Sequence, residues 1–454
     1  MSPSGRRIRP PRCALRPALR HALLFVVFLL GLATALATGV QKPASTRSSA
    51  VQAAPARGDV SNLLRTAQEA LNRSDFEAAS KALQQVVELE SNSVPAWFNL
   101  GYAYSGLHRD SDAIQAYEKA LALAPDLFEA HLNLGVIFLQ TGQVPKAVEH
   151  LAKAVKLRPN HVRAHLYYGR ALLQAVQPEA AEAEFRQVLL LDPRLAIAHF
   201  DLGQVYLSGK RFDDARAAFA KAAELDSQLP QAELGLALAA EGLNEPGQAV
   251  SHFEKYLAAK PNDLETRFHM GKLLIEQGKN EEALENLLKV YGTKPDLRGL
   301  AAALGELYAS LKKYAEAERF YRQALVADPQ GAELHRALGQ ALMNQEKLPE
   351  AETEFRAALK LDGRNRESLH GLASTLYLEK RYADAVPLLE ALVRSPKPPP
   401  LTFFVLATCY DHLAARPEAL QNYEHFLELS HGQSPDQEWQ AEQRAKLLRR
   451  ELRK

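Results

Sequence analysis

Cysteine is scarce in this sequence, and its scarcity excludes the small disulfide-stabilised folds. The 454 residues contain two cysteines, Cys13 and Cys409. Cys13 precedes an apolar segment that we expect to stay outside the mature fold, so Cys409 has no partner for an internal disulfide. Its neighbours Leu406 and Tyr410 indicate the interior of a helix. We therefore interpret Cys409 as a buried, inert thiol.

The chain also lacks a strong net charge, which is +1 in total. This near-neutral sum hides an asymmetry, because residues 1–59 carry nine Lys or Arg and a single acid. Residues 434–454 carry six basic and four acidic residues, so residues 60–433 carry a net charge of about −9. An acidic region of this length disfavours DNA or RNA as the main ligand, so no nucleic-acid partner is expected.

Motifs that carry catalysis or cofactor binding are missing. The sequence has no G-x-x-x-x-G-K-[ST], no H-E-x-x-H, no G-x-S-x-G, no C-x-x-C, and no G-x-G-x-x-G after a strand. We therefore expect no enzyme activity, no cofactor and no metal.

The first 40 residues have the pattern of a targeting segment. Residues 1–21 contain six arginines and no acid, and residues 22–40 then run for nineteen residues without a charge. This length lies between a long signal-peptide core and a short membrane span. Ala35-Leu36-Ala37 supplies an A-x-A cleavage pattern.

Two interpretations of residues 1–40 stay open: a cleaved signal peptide, which we favour, and an uncleaved signal anchor in the inner membrane. In both, the arginines remain in the cytoplasm and the rest of the chain is exported, to the periplasm or the cell exterior. Residues 41–59 are poor in large apolar side chains and are predicted to be a disordered linker.

A period of 34 residues governs the rest of the chain. One column of small residues recurs at this spacing: Ala67, Gly101, Gly135, Gly169, Gly203, Ala237, Gly271, Gly305, Gly339, Ala373 and Ala407. Twelve residues later a second column is alanine in all eleven copies, from Ala79 to Ala419. Small residues at fixed spacing allow helices to cross closely. The prolines from Pro125 to Pro329 at the ends of repeats predict helix stops.

These columns resemble the tetratricopeptide-repeat family. Residues 94–127 read VPAWFNLGYAYSGLHRDSDAIQAYEKALALAPDL and carry the family's characteristic residues in order: Trp97, Leu100, Gly101, Tyr104, Ala113, Tyr117, Ala120 and Pro125. The resemblance covers 374 of the 454 residues, from 60 to 433. It implies an all-α fold: an α-solenoid, coiled as a right-handed superhelix, of eleven 34-residue helix-turn-helix units with a concave inner groove.

The residues after the last repeat predict a capping helix. Ser434 is a candidate N-cap residue and Pro435 suits the first helical position. We expect residues 434–454 to cover the exposed end of the array, with Gln437–Lys454 helical.

Histidine recurs at one column of the repeat, at His131, His165, His199 and His335. Equivalent atoms one repeat apart should lie roughly 10 Å apart, which is too far to share one metal ion. We therefore expect each ring to fill the position that Trp97 fills in its own repeat.

The resemblance also implies a binding surface, because first helices line the concave groove in this family. The corresponding residues here are Phe98, Asn99, Tyr102, Leu132, Asn133, Val136, Tyr167, Arg170, Phe200, Asp201, Gln204, Phe268, His269 and Lys272, followed by Arg336 and Gln340. Aromatic rings and amides of this kind suit an extended peptide. The alternative is that the aromatic rings only pack on neighbouring helices.

A non-enzymatic scaffold or adaptor that binds partner proteins or peptides outside the cytoplasm is the function that these features favour. The alternative is a non-catalytic subunit that recruits substrate for an enzyme or for an envelope biogenesis or secretion complex. The clamp of Lys and Asn that reads C-terminal carboxylates in some family members is absent, since Phe98, Tyr102 and Leu132 occupy its positions.

Overall fold

The computed structural model of the chain describes residues 57–453. In that range it contains 23 α-helices and no strand. The all-α prediction is confirmed. The predictions for residues 1–40 and for most of the linker lie outside the described residues.

The described chain divides into two compact units, one ending at Pro261 and the other beginning at Asn262. The first unit contains α1 (Arg57–Asn72), α2 (Phe76–Leu89), α3 (Val94–Gly106), α4 (Asp110–Leu123), α5 (Phe128–Gln140), α6 (Val144–Leu157), α7 (Val162–Gln174), α8 (Pro178–Leu191), α9 (Ala196–Ser208), α10 (Phe212–Leu225), α11 (Pro230–Gly242) and α12 (Pro246–Ala259). The second contains α13 (Leu264–Glu276), α14 (Asn280–Thr293), α15 (Leu300–Ser310), α16 (Tyr314–Ala327), α17 (Ala332–Met343), α18 (Leu348–Leu361), α19 (Arg366–Leu378), α20 (Tyr382–Val393), α21 (Pro400–His412), α22 (Arg416–Ser430) and α23 (Pro435–Glu451).

These helices form eleven pairs, one pair for each 34-residue repeat. Odd-numbered helices from α1 to α21 are the first helices, and the even-numbered helix that follows each of them packs against it. Second helices end where the sequence predicts: α4 ends at Leu123, just before Pro125, since proline cannot continue the helical hydrogen bonding.

The glycine column lies where a large side chain of the second helix covers the first. A Cβ atom added at Gly101 would lie 2.7 Å from Cδ1 of Tyr117, and one at Gly203 would lie 2.7 Å from Cδ1 of Phe219. Both rings are fully buried. The small residue is therefore needed to leave room for the large side chain of the second helix, four positions after the alanine column. It is not the alanine of the second helix that requires this room.

The turn between the two helices of a repeat has one residue in the left-handed region. It is the fifteenth residue of every repeat, with φ between 57° and 73°: Ser74, His108, Gly142, Val176, Lys210, Asn244, Gly278, Lys312, Glu346, Lys380 and Ala414. Glycine adopts this conformation without strain, but a side chain with a Cβ does not. The fold therefore requires an unfavourable φ at nine of these eleven turns.

Consecutive repeats are joined by a ring N–H that reaches back to the end of the preceding repeat. His131 Nε2 donates to the carbonyl oxygen of Pro125 at 2.9 Å, and His165 Nε2 donates to that of Pro159 at 2.7 Å. Trp97 Nε1 makes the equivalent bond to the carbonyl of Ser91 at 2.9 Å. The prediction that the histidines occupy the position of Trp97 is confirmed.

Ion pairs between repeats recur at a second fixed position. A basic residue that precedes the second helix pairs with an acid on the second helix of the preceding repeat: Arg211 with Glu182 at 2.9 Å, Lys347 with Glu318 at 2.8 Å, and Arg381 with Glu352 at 2.8 Å. The basic side chains are partly exposed and the acids are largely buried, so each pair contributes on the order of 1 kcal/mol and mainly fixes the relative position of neighbouring repeats.

Two boundary predictions need correction. Arg57, Gly58 and Asp59, which we assigned to the linker, form the first turn of α1. The C-terminal helix begins at Pro435, the predicted first helical position, but it ends at Glu451 rather than Lys454, and the side chain of Ser434 makes no capping bond. Glu438 caps this segment instead: its carboxylate accepts hydrogen bonds from the N–H of Gly432, at 2.9 Å, and from the hydroxyl of Ser430.

The C-terminal helix α23 covers the last repeat through small residues. Ala441, Ala445 and Leu448 pack with Tyr423 and Phe426 of α22, whereas Trp439 is 65% exposed. Among the described helices, none has the length and apolar character needed to cross a membrane.

Candidate partner-binding face

The first helices of repeats 3 to 6, in the first unit, lie side by side. Helix α5 contacts α7, α7 contacts α9, and α9 contacts α11. We define the first-helix face as the side chains at the fifth, sixth and ninth positions of repeats 2 to 6. These side chains are Phe98, Asn99, Tyr102, Leu132, Asn133, Val136, Leu166, Tyr167, Arg170, Phe200, Asp201, Gln204, Leu234, Gly235 and Leu238.

The structure places the predicted groove residues in two groups. Buried residues are Phe98, Leu132, Asn133, Val136, Tyr167, Arg170, Phe200, Asp201, Gln204 and Phe268. Partly exposed residues are Asn99, Tyr102, His269, Lys272, Arg336 and Gln340. The partly exposed residues are the ones whose substitution tests binding with least disturbance of packing.

Several of the predicted aromatic residues have packing partners in the repeat core. The ring centroid of Phe98 lies 5.5 Å from that of Tyr117, and the centroid of Phe200 lies 5.6 Å from that of Phe219. Tyr102 packs edge-on against Phe76 of the preceding repeat at 5.9 Å. Truncating Phe200, which is fully buried, would therefore destabilise the fold as well as remove a binding surface.

The two predicted asparagines differ in their hydrogen bonding. Asn133 is fully buried, and its Nδ2 donates to the hydroxyl of Tyr117 on the preceding repeat at 3.0 Å. The side-chain oxygen of Asn99 is buried and accepts no hydrogen bond. The side-chain oxygen of Asn99 is therefore still available as an acceptor. Asn133, by contrast, uses its side chain to link two consecutive repeats.

A polar centre interrupts this apolar surface between α7 and α9. Arg170 Nε donates to Asp201 Oδ2 at 2.6 Å, and the two side chains are 3% and 5% exposed. Burial raises the pKa of Asp201, and the charge and hydrogen bond of Arg170 oppose that rise. Arg170 Nη2 is buried without a hydrogen-bond partner, which is costly for a guanidinium unless a ligand supplies an acceptor.

Polar pairs within repeats were not predicted from the sequence, although their spacing is regular. Nineteen residues separate the partners: His165 Nδ1 lies 2.5 Å from Glu184 Oε2, and His335 Nδ1 lies 2.6 Å from Glu354 Oε2. In repeat 6 the order is reversed, with Glu233 on the first helix and His252 on the second. A search for His and Glu nineteen residues apart would have found them.

The second unit carries charge at the equivalent positions of its first helices. Lys272, Glu306 and Arg336 occupy ninth and fifth positions of repeats 7 to 9, and Glu306 is exposed. The two units therefore present first-helix positions of different chemistry.

Sequence comparison identifies the family. A family described as "Cilia and flagella-associated protein 70 C-terminal domain", a tetratricopeptide-repeat domain, matches residues 14–297, which is more than half of the chain. Two further tetratricopeptide-repeat families match residues 274–341 and 336–399. The chain belongs to the tetratricopeptide-repeat family.

Individual relatives of this tetratricopeptide-repeat protein match over shorter stretches. A 68-residue segment is 34% identical to tetratricopeptide repeat protein 37 of Xenopus laevis, and the match spans 15% of this chain and 4% of that relative. The chain thus spans only a small part of that relative's length.

Among solved structures, MamA protein is 27% identical with a TM-score of 0.35, covering 38% of this chain and 94% of that chain. PilW, a type IV pilus biogenesis factor, is 22% identical with a TM-score of 0.43, covering 46% and 98%. PilF of Pseudomonas aeruginosa is 19% identical with a TM-score of 0.41, covering 48% and 100%.

Membership of this family carries a general functional statement. Tetratricopeptide repeats are protein-interaction scaffolds whose partners are proteins or peptides, and they are typically not catalytic.

Proposed function

We propose that this protein is an exported scaffold that binds a partner protein or peptide on the first-helix face. The observation that carries the proposal is the continuity of that face: α5, α7, α9 and α11 lie side by side, so equivalent positions of successive repeats form one surface. An extended segment of a partner can contact several repeats at once on such a surface.

A pair of capture experiments tests the binding face. The full chain serves as bait in its native host, beside a variant carrying Asn99→Ala and Tyr102→Ser, which are partly exposed positions. A control bait carries Leu190→Ser on the second helix α8, where the side chain is 77% exposed. We expect a partner that the wild type and the control retain and the double variant loses.

The opposite result has a clear meaning, provided that circular dichroism shows equal helix content in all three baits. A partner retained equally by the double variant would place the binding site elsewhere on the chain. The alternative role, recruitment of substrate to an enzyme, is then decided by whether the captured partner is itself an enzyme.

Export is supported by the arginine-rich stretch and the uncharged run at residues 22–40. Its test is a fusion of residues 1–56 to an alkaline phosphatase that folds only where disulfides form. We expect phosphatase activity, and we expect its loss when Leu29 and Leu30 are both replaced by Arg. An inactive wild-type fusion would contradict export, and the mass of the exported chain distinguishes cleavage from anchoring.

A further inference from the structure

The two ends of the repeat array differ in the residues that they expose. In repeat 1, Asn62 and Thr66 are exposed, whereas the residues 34 positions later, Ala96 and Leu100, are buried. Repeat 1 therefore has polar side chains where later repeats pack on the repeat before them. The C-terminal helix α23 instead leaves Trp439 65% exposed. A large aromatic ring in water is unfavourable, so the outer side of α23 is a candidate contact surface.

The exposed side of α23 follows a seven-residue spacing. Asp436, Gln443 and Arg450 are seven residues apart, and Trp439 and Leu447 lie between them. The opposite side of the helix packs on α22 through its buried residues. At 3.6 residues per turn the exposed side chains project within about 100° of one another. We define the outer face of α23 as Asp436, Trp439, Gln443, Lys446, Leu447 and Arg450, all of which are exposed.

Charge is distributed unevenly along the outer face of α23. Arg444 and Arg449, which lie outside that face, pair with acids of α21 and α22 at 2.7 Å. Lys446 lies 3.8 Å from an acid on its own helix. Among residues 57–453, Asp436 and Arg450 have no ion-pair partner. The face therefore has an unpaired acid near its N-terminal end, an unpaired base near its C-terminal end, and apolar side chains between them.

A face of this composition is complementary to itself when two copies of α23 run antiparallel. With Gln443 on a two-fold axis, Asp436 and Arg450 lie on either side of it at about 10 Å, given a rise of 1.5 Å per residue. Asp436 of one copy then faces the partner's Arg450, and Trp439 faces the partner's Leu447. An isologous interface of this kind makes each contact twice, once on either side of the axis.

Other occupants of this face fit its charges less well. A parallel pair of helices would oppose Asp436 with the partner's Asp436 and Arg450 with the partner's Arg450, and like charges repel. An anionic membrane surface would attract Lys446 and Arg450, but Asp436 lies on the same face and residues 60–433 carry a net charge of about −9. An antiparallel second copy satisfies both charges and covers Trp439.

We propose that α23 pairs antiparallel with α23 of a second copy of this chain and forms a two-fold symmetric dimer. Trp439 packs against the partner's Leu447, and Asp436 pairs with the partner's Arg450. The face is one helix long and buries less area than a standard interface, so the dimer is weak, with a Kd on the order of 10–100 µM. The dimer is independent of the proposed function, since no residue of the first-helix face takes part in it.

Site-specific cross-linking tests this pairing on the full chain. In a Cys13→Ser background, Gln443→Cys places a thiol at the two-fold axis, and the control Gln421→Cys places one on the exposed side of α22. Cys409 is fully buried and is not accessible to the reagent. With a short bismaleimide and about 50 µM chain, near the expected Kd, we expect a roughly fivefold larger cross-linked fraction for Gln443→Cys than for the control. Equal fractions would overturn the proposal.

Trp439→Ser, added to the Gln443→Cys chain, removes the apolar contact. We expect the cross-linked fraction to fall to the level of the Gln421→Cys control, because an aromatic side chain at the centre of a small interface carries much of its binding energy. Leu190→Ser, at a position of α8 that is 77% exposed, should leave the fraction unchanged. A cross-linked fraction that Trp439→Ser does not lower would overturn the proposal.

Charge reversal distinguishes the antiparallel pair from other contacts. In the Gln443→Cys chain, Asp436→Arg opposes two bases at each end of the interface and Arg450→Asp opposes two acids. Each change should lower the cross-linked fraction by about threefold at low ionic strength. An equal mixture of the two chains pairs a base with an acid at both ends, so we expect it to regain at least about half of the lost fraction. With equal helix content by circular dichroism, a mixture that cross-links no better than either chain alone would overturn the proposal.

Discussion

Nδ1 of His131 lies 3.0 Å from Nδ1 of His150, at the pair of positions where three other repeats pair a histidine with a glutamate. Burial lowers the pKa of each ring below its usual value, which favours two neutral rings in the folded state. In a neutral His131 whose Nε2 donates to the carbonyl of Pro125, Nδ1 accepts a hydrogen bond from the Nδ1–H of His150.

A pH-dependent stability of repeat 3 follows from that pair. The unfolded histidines take up protons more readily than the folded ones, so the free energy of unfolding should decrease as the pH falls below about 6.5. His150→Glu would recreate the arrangement of His165 with Glu184, so that His131 would face a carboxylate, which stabilises a protonated imidazole, instead of a second imidazole. We expect the decrease in Tm between about pH 7.5 and pH 5.5 to be at least halved in this variant.

Thermal unfolding of both chains across this pH range is the measurement. Other acids and histidines titrate in both chains, so the difference between the two pH profiles isolates the pair. Parallel profiles would contradict the assignment of two neutral rings.

Gly203 is expected to tolerate no side chain. A Cβ there would lie 2.7 Å from the ring of Phe219, which is fully buried and cannot move aside. Gly203→Ala should therefore lower the free energy of unfolding by roughly 1–3 kcal/mol. Gly247→Ala is the matched control, since a Cβ at Gly247 meets no atom within 4 Å, and it should leave stability unchanged or slightly raised. Urea denaturation compares the two, and equal effects would contradict the packing argument.

Replacement of Val176 should stabilise the fold. It has φ of 57° and is 84% exposed, so its β-branched side chain is strained and makes little contact. Val176→Gly should raise the free energy of unfolding by about 1 kcal/mol. Gly142 occupies the same turn position with φ of 72°, and Gly142→Val should produce a loss of similar size. Denaturant titration measures both, and a destabilised Val176→Gly variant would show that the turn is not strained.

Cys409 should be unreactive in the folded chain. It is fully buried, and burial raises the pKa of its thiol to about 12, so the reactive thiolate is scarce at neutral pH. In a Cys13→Ser background, a thiol reagent such as DTNB should react with Cys409 only after denaturation. Rapid reaction of the native chain would show that α21 opens readily.

The repeat register could be predicted from sequence because small residues were required at fixed places. Gly101 and Ala113 recur in phase with their equivalents: a Cβ at Gly101 would lie 2.7 Å from the ring of Tyr117, and Ala113 is fully buried. The histidine column could be interpreted for a similar reason: His131 appears where Trp97 appears, and both rings offer an N–H.

Other features left little trace in the sequence. The left-handed turn was missed because only Gly142 and Gly278 mark it, while other repeats place Lys, Val or Glu there. The bond between Asn133 and Tyr117 joins two repeats, and most other repeats have Phe or Leu in place of the tyrosine. In both cases tertiary packing overrode local preference, which a single sequence does not reveal.

The candidate face was located by family resemblance, but its polar centre was not. Arg170 and Asp201 were named as separate groove residues, and their separation of 31 residues gives no local sign that they pair. Only the placement of α7 beside α9 brings the two charges together.

The bond from each histidine ring to the proline carbonyl six residues earlier bears on how such a chain can change length. If residues 128–161 were deleted, His165 would follow Pro125 at the same six-residue distance that now separates His131 from Pro125. The junction would keep both its donor and its acceptor. Gain or loss of whole 34-residue repeats thus keeps this hydrogen bond. Deletion of part of a repeat would change the six-residue spacing and remove it. Unequal recombination can therefore lengthen or shorten the array by whole repeats while this bond is preserved at each junction.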